Sequence, residues 1–215
     1  MDLETKKLID NGTIICGRII QENGIVRFER VEPSQIDSIP EDERGLFTGK
    51  VATRKECHAN GYWHRAVYGF IIDQNHNVLL QRRGANKRMW PNKWDVTVGG
   101  HVISGEIGRQ AIKRECKEEL GLKISDAELK YIISSTSVYS KNGYNNMHYD
   151  ECYIIKRSVD ISKLILQKDE LSQVAFFSEK DILDRINNNY FELTEKITSW
   201  HFLKQIFERD LLKGL

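Results

Sequence analysis

The segment Gly99–Leu122, GGHVISGEIGRQAIKRECKEELGL, carries an unusual concentration of glutamates. Its second half predicts a helix on which Glu115, Glu118 and Glu119 follow one another at i, i+3 and i+4. Like charges at this spacing lie side by side on a helix and repel each other. These residues also lie near the helix C-terminus, where the helix dipole disfavours anions. The pattern therefore indicates a compensating group outside the helix.

The phase of the helix shows where the glutamates point. At about 100° per residue, the polar and cationic side chains lie on one side and the apolar ones on the other. The first set is Gln110, Lys113, Arg114 and Lys117, and the second is Ile107, Ala111, Ile112, Cys116 and Leu120. The three glutamates fall among the apolar positions, away from the lysines. Inward-facing carboxylates need a cation, because isolated buried anions are costly, and oxygen ligands favour Mg²⁺ or Mn²⁺ over zinc or copper. The alternative is an ordinary charged helix with a few salt bridges.

The spacing of the fixed residues matches a known motif, the Nudix box, G-x5-E-x7-R-E-U-x-E-E-x-G-U. The match begins at Gly100 and Glu106, continues with Arg114 and the three glutamates, and ends at Gly121 and Leu122. Cys116 stands where a bulky aliphatic residue is usual. Over roughly residues 50–205 the chain resembles Nudix proteins. The resemblance implies an α/β/α sandwich with a mixed β-sheet and Mg²⁺- or Mn²⁺-dependent hydrolysis of a diphosphate linked to another group.

The same resemblance assigns roles to the residues of the box. Glu115, Glu118 and Arg114 correspond to catalytic residues, with Glu115 either ligating the metal or activating water. The implied metal ligands are Glu115, Glu118, Glu119 and the carbonyl of Gly100. A further acidic ligand is expected from a neighbouring strand or loop, with Asp150 or Glu151 as the best candidates and Glu170 next. Glu106, with Arg114, braces the loop and helix, and Gly121 follows the helix end as a structural residue of the box.

A basic, tryptophan-containing loop precedes the box, QRRGANKRMWPNKWD from Gln81 to Asp95. Arginine and lysine side chains bind phosphate oxygens, so Arg82, Arg83 and Lys87 are candidate substrate-binding residues, although a solvated loop explains such charges too. The loop resembles the Nudix branch that contains type I isopentenyl-diphosphate isomerases, which share R-R-x-x-x-K, W-P-x-x-W, a G-H pair and a late tryptophan. His101 and Trp200 match the last two features and join the substrate-binding candidates.

The histidines and one glycine bear on an isomerase alternative. In the isomerases, histidines corresponding to His64, His101 and possibly His58 help to bind a metal, although here they could equally hydrogen-bond the loops. His76, His148 and His201 are interpreted as ordinary surface or core residues. Gly99 stands where the isomerases carry a catalytic cysteine, which favours the hydrolase. A non-catalytic Nudix-fold binding protein is the third interpretation.

The rest of the chain predicts a mixed sheet with helices on both faces. Residues 13–31 predict a hairpin turning at Asn23-Gly24, and a polar stretch with two prolines places a domain boundary near residue 45. We therefore predict an N-terminal hairpin extension and linker over 1–45 and a Nudix domain over 46–215. The extension either adds to the main core or packs across a homodimer. Strands are expected at 63–72, 78–83, 94–98, 129–139, 147–157 and 173–178, with helices after Thr53, Ser104 and Ser178 and over 195–213.

Composition excludes several function classes. The 215 residues carry 32 Lys and Arg against 31 Asp and Glu, for a net charge of +1, so the chain lacks the charge for binding duplex nucleic acid. Four scattered cysteines argue against a disulfide framework, and no segment predicts a membrane span or a signal peptide. We predict a cytoplasmic protein whose partner is a small diphosphate. A nucleoside diphosphate derivative is the first expectation for its substrate and a prenyl diphosphate the second.

Overall fold

The N-terminal hairpin is present in the computed structural model, which describes residues 17–22, 25–30, 40–41, 51–141, 143–188, 192–194, 197–209 and 212. Strands β1 (Gly17–Glu22) and β2 (Ile25–Arg30) pair antiparallel in a two-stranded sheet of their own. The predicted Asn23-Gly24 turn and the predicted boundary near residue 45 lie outside the described residues.

The remaining strands form one larger sheet. In chain order they are β3 (Pro40–Glu41), β4 (Trp63–Ile72), β5 (Val78–Arg83), β6 (Trp94–Asp95), β7 (Val98–His101), β8 (Leu129–Lys141), β9 (Tyr144–Lys156) and β10 (Leu171–Phe177). The main path runs β10-β5-β4-β9-β8, while β3 and β7 also pair with β4, and β6 pairs with β5. With the helices below, this confirms the predicted α/β class.

The described residues divide into two compact units. Unit 1 takes the described residues up to Val67 together with His101–Ala111 and Ser134–Glu151. Unit 2 takes Tyr68–Gly100, Ile112–Ile133 and the described residues from Cys152 onward. The strands β4, β7, β8 and β9 and the helix of the box each contribute residues to both units.

In unit 1, helix α1 (Arg54–Asn60) begins with the predicted capping box. The Thr53 hydroxyl accepts the N–H of Glu56, and the Glu56 carboxylate accepts the N–H of Thr53. The helix ends at Gly61, whose φ of 68° is the left-handed conformation that glycine adopts without strain. These two caps fix the position of His58 in the last turn of α1.

Helix α2 (Gly108–Leu120) is the helix of the box, and it begins later than the sequence predicts. Ser104 is not its cap: it lies four residues earlier and is buried, in a turn where the N–H of Glu106 donates to the carbonyl of Ile103. The N–H of Ile107 donates to the side-chain carbonyl of Gln110 instead, which caps the first turn from within the helix. At the other end Gly121, with φ of 69°, ends the helix as predicted.

In unit 2, α2 packs closely on the sheet because β4 has a glycine there. A Cβ atom on Gly69 would lie 2.9 Å from Ile112 and 3.0 Å from Val98. Ile112 is fully buried, as are Cys116 and Leu120 further along the helix. The apolar face predicted for these three positions is therefore confirmed, and it fixes the rotation of α2 about its axis.

Two further helices complete unit 2. Helix α3 (Glu179–Asn187) starts at the predicted cap Ser178, and α4 (Ile197–Glu208) is shorter than the predicted helix over 195–213. Short 3₁₀ turns occur at Asp126–Glu128 and Ile161–Lys163. Among the described residues no helix has the length and apolar character needed to span a membrane.

Candidate functional sites

The three glutamates of α2 lie in different environments within unit 2. Glu119 is buried, and its carboxylate accepts a hydrogen bond of 3.1 Å from the side-chain amide of Gln81 on β5. The Glu115 side chain is 13% exposed and that of Glu118 is 51% exposed. The exposure of the carboxylates thus rises from Glu119 through Glu115 to Glu118, whereas the helical phase predicted three inward-facing groups.

The Glu115 carboxylate lies against the backbone of Gly100 on β7. A Cβ atom at position 100 would lie 1.9 Å from Glu115 Oε1 and 2.2 Å from Cδ. Only glycine leaves room for the carboxylate here. The predicted ligand pair, the Gly100 carbonyl and the Glu115 carboxylate, therefore belongs to one close contact between β7 and α2.

Arg114 reduces the repulsion between the glutamates. Its guanidinium donates to Glu115 Oε1 at 2.7 Å and to Glu118 Oε2 at 3.1 Å. The helical phase placed Arg114 with the solvated cations, but the structure turns it towards the carboxylates. Part of the compensation expected from outside the helix therefore comes from the helix itself.

The predicted phosphate-binding cations each have a partner within unit 2. Arg83 forms an ion pair of 2.9 Å with the fully buried Asp95, and its Nε donates to the carbonyl of Met89. Arg82 Nε donates to the carbonyl of Asn92, and Lys87 forms an ion pair with Glu170. These contacts hold the loop 84–93 to the sheet, and any phosphate that bound Arg83 or Lys87 would compete with them.

A second candidate site lies in unit 1, where four histidines converge. Ligand nitrogens of His58, His64, His101 and His148 all lie within 4.8 Å of one another. These four side chains are gathered closely enough to hold a metal ion. His58 comes from α1, His64 from β4, His101 from β7 and His148 from β9.

The hydrogen bonds of the cluster orient two of the rings as metal ligands are oriented. His64 Nδ1 donates to the carbonyl of Tyr62 at 2.7 Å, and His58 Nδ1 donates to the carbonyl of Asn145 at 3.0 Å. Each of these imidazoles, when neutral, then has its lone pair on Nε2. His58 Nε2 lies 3.2 Å from His101 Nε2.

Burial keeps the imidazoles of His64 and His101 neutral. It is the largest cause that lowers the pKa of His64, to about 3, with the neighbouring imidazole of His148 contributing further. Burial likewise holds the pKa of His101 well below its ordinary value. The neutral form is the one that binds metals.

Two buried polar groups support a cation at this cluster. His64 Nε2 and both carboxylate oxygens of Asp150 are buried without a hydrogen-bond partner among the described residues. His148 Nδ1 lies 3.4 Å from Asp150 Oδ1. Buried polar atoms without partners are costly, and four imidazoles with a carboxylate are a suitable donor set for zinc, iron, cobalt or nickel.

Three other predicted site residues have defined neighbours. Glu151, predicted as a metal ligand, forms an ion pair with Arg65 in unit 1. Trp200, predicted to bind substrate, is buried in unit 2, where its indole N–H donates to the carbonyl of Thr194 at 2.8 Å. The Glu106 carboxylate accepts the N–H of Ile103 at 3.4 Å, which braces the turn before α2. The roles of these residues remain predictions.

The sequence interpretation missed His148. The sequence analysis interprets it as an ordinary surface or core histidine, because its neighbours in the chain indicate no site. The sequence does carry one signal: His148 and Asp150 alternate along a strand and therefore share one face of it.

Comparison with known proteins gives one family. A model of the NUDIX domain matches residues 62–197. An uncharacterized Nudix hydrolase of Listeria innocua is 32% identical over 78% of this chain and 90% of its own length. An isopentenyl-diphosphate Delta-isomerase of Haloarcula marismortui is 27% identical over 61% of this chain and 68% of its own length. The crystal structure of DR0079 from Deinococcus radiodurans superposes with a TM-score of 0.60 at 23% identity, covering 78% of this chain and 97% of DR0079.

Proposed function

This chain belongs to the Nudix family, and from that membership we propose that it is a Mg²⁺- or Mn²⁺-dependent hydrolase that cleaves the diphosphate bond of a small molecule. The observation that supports the proposal most is the contact of Glu115 with Gly100, beside the arginine that joins Glu115 to Glu118. A complete set of carboxylates, with glycine where the first must approach the backbone, suits a hard divalent cation.

The donor set fits the ion. Glu115, Glu118 and Glu119, with the carbonyl of Gly100, would hold it. A divalent ion there would neutralise the diphosphate and lower the pKa of a bound water. Gln81 orients the buried Glu119 carboxylate, and Arg114 fixes the separation of Glu115 and Glu118.

Within this arrangement, Glu115 is our candidate to accept the proton of the attacking water. Its carboxylate is confined between Gly100 and Arg114 and is little exposed, so its position is restricted before substrate arrives. A general base must be held within hydrogen-bond reach of the proton that it removes. Glu118, the most exposed of the three glutamates, is the group that the substrate and its ion would meet first.

For the substrate we propose a nucleoside diphosphate derivative first and a prenyl diphosphate second. The test is incubation of the pure protein with Mg²⁺ and a panel of nucleoside diphosphates, dinucleotides, nucleotide sugars and prenyl diphosphates, with products separated by mass. Glu119→Gln should abolish product release, and Glu179→Gln on α3 is the matched control. Activity that survives Glu119→Gln unchanged would refute the metal assignment.

The histidine cluster favours a second candidate function, the isomerisation of isopentenyl diphosphate. The family resemblance gives His64, His101 and possibly His58 a metal-binding role in the isomerases, and an isomerase is among the relatives. In unit 1 these three residues lie together with His148, and the donor set fits a transition metal. Against it stands Gly99, where the isomerases have their cysteine. An isomer of unchanged mass in the prenyl diphosphate reaction would support this second function over hydrolysis.

A further inference from the structure

Tyr144 extends the histidine cluster of unit 1 by one oxygen atom. Its ring stacks on His58 with centroids 4.2 Å apart and an interplanar angle of 21°. Its hydroxyl oxygen lies 3.1 Å from His58 Nε2. Because His58 Nδ1 donates to the Asn145 carbonyl, the hydroxyl lies beside the ring nitrogen that carries the lone pair.

The distances around His58 Nε2 are those of donor atoms that share one ion. Nitrogen ligands lie about 2.0–2.1 Å from zinc, which places neighbouring donors of one ion roughly 3 Å apart. His101 Nε2 lies 3.2 Å from His58 Nε2, and the Tyr144 hydroxyl lies 3.1 Å from the same nitrogen. The tyrosine oxygen is therefore as close to His58 Nε2 as the His101 nitrogen is.

The backbone fixes this position independently of any ion. Tyr144 is the first residue of β9 and follows Gly143, whose φ is 73°. Its neighbour Asn145 binds α1 twice, through its carbonyl to His58 Nδ1 and through its side-chain amide to the carbonyl of Ala59 at 3.3 Å. The start of β9 is thereby attached to the end of α1, and the phenol is directed at the cluster.

We propose that Tyr144 is a metal ligand of the histidine cluster, an inference that rests on the proposal that this cluster holds a transition metal. On binding, the phenol loses its proton to solvent and the phenolate oxygen forms the bond to the metal, displacing a water ligand. The phenolate adds an anionic donor to four neutral imidazoles, and Asp150 provides a second negative charge beside His148. Tyr144 thus contributes charge that the histidines lack.

The test uses Cu²⁺, which binds nitrogen and oxygen sites most strongly among the divalent first-row metals. The full-length protein is stripped with a chelator, loaded with one equivalent of Cu²⁺ and dialysed, and its visible spectrum and copper content are measured. Phenolate bound to Cu²⁺ gives a charge-transfer band that imidazole ligands do not give in the visible range. We expect this band in the wild-type protein, its loss in Tyr144→Phe with copper still bound, and its retention in Tyr62→Phe.

Tyr62 is a matched control because it lies in the same unit and contacts His64 only through its backbone carbonyl. Copper bound to the wild-type protein without the band, or a band unchanged in Tyr144→Phe, would overturn the assignment of Tyr144 and leave the histidine site standing. Copper content that is unchanged in His101→Gln, or absent from the wild-type protein, would overturn the histidine site itself. Neither result bears on Mg²⁺-dependent hydrolysis at the carboxylates of unit 2.

Discussion

Replacement of Gly100 by alanine tests the geometry of the carboxylate site most directly. The new Cβ atom would lie 1.9 Å from Glu115 Oε1, whereas non-bonded carbon and oxygen atoms stay about 3.3 Å apart. The carboxylate must therefore retreat by about 1.4 Å. A displacement of about 1 Å at a catalytic group costs on the order of 100-fold in rate. We expect the Mg²⁺-dependent hydrolysis rate of Gly100→Ala to fall by about two orders of magnitude.

The fold should tolerate this change. The colliding atoms belong to the end of a flexible side chain, and the loss of one hydrogen bond to Arg114 costs about 1.5–3 kcal/mol. Alanine also restricts the backbone of the unfolded chain more than glycine does, which stabilises the folded state by about 0.4–1 kcal/mol. The free energy of unfolding measured in urea should therefore fall by no more than about 2.6 kcal/mol. A large loss of activity with so small a loss of stability would show that the carboxylate is displaced and that strand β7 is not disrupted.

The control is a double-mutant cycle with Glu115→Ala, which removes the colliding group. In that background Gly100→Ala should cause no further loss of activity and little change in stability, because the Cβ atom then has room. Wild-type activity in Gly100→Ala, or a loss of stability of the same size with and without Glu115, would refute the proposed contact.

Two further predictions concern buried ionisable groups. The pKa of His64 is lowered by burial to about 3 from 6.5, so the unfolded state binds more protons between these values. His64 should therefore contribute a fall of at most about 5 kcal/mol in the free energy of unfolding of metal-free protein as the pH drops from about 6.5 towards 3, and His101 should add to it. Urea titrations at several pH values measure this, and a slope that is not reduced in His64→Leu would refute the contribution of His64. Arg83→Met leaves the buried Asp95 without its cation and should cost about 3–5 kcal/mol, with part of the stability restored in Arg83→Met/Asp95→Asn. If the double variant recovers stability yet retains a raised KM, Arg83 also binds substrate, and no recovery would show that the pair is not coupled.

Local patterns predicted much of the fold. The capping box at Thr53, the antiparallel strands β1 and β2 and the apolar face of α2 depend on neighbours a few residues away, and each is present. The start of α2 was wrong because the turn after β7 buries Ser104 and satisfies its own backbone through Glu106. Ser104 is a residue type that often caps a helix, but in the tertiary structure it is buried in the turn that precedes α2.

The sites were less predictable because their contacts join distant parts of the chain. The Nudix box identified the glutamates, but the rotation of α2 on the sheet sets how deeply each one lies. Arg83 and Asp95 are joined across a loop. Arg83, which the sequence suggests as a phosphate-binding residue, therefore has a buried carboxylate as its partner. The histidine cluster depends on the register of β9, which brings Tyr144 and His148 to residues more than eighty positions earlier. No local pattern encodes that register.

The position of Arg114 has a consequence for how the protein loses and regains its ions. The guanidinium of Arg114 already bonds two carboxylates and therefore acts as a permanent counter-ion. When a bound cation is removed, the glutamates of α2 repel one another less than they would without this arginine. We expect removal of the ion from these carboxylates by a chelator to leave the melting temperature of the protein nearly unchanged. Activity should return as soon as Mg²⁺ is restored, without refolding. The helix would then keep its structure when the supply of divalent cations falls, while Arg114 continues to hold Glu115 and Glu118 at a fixed separation.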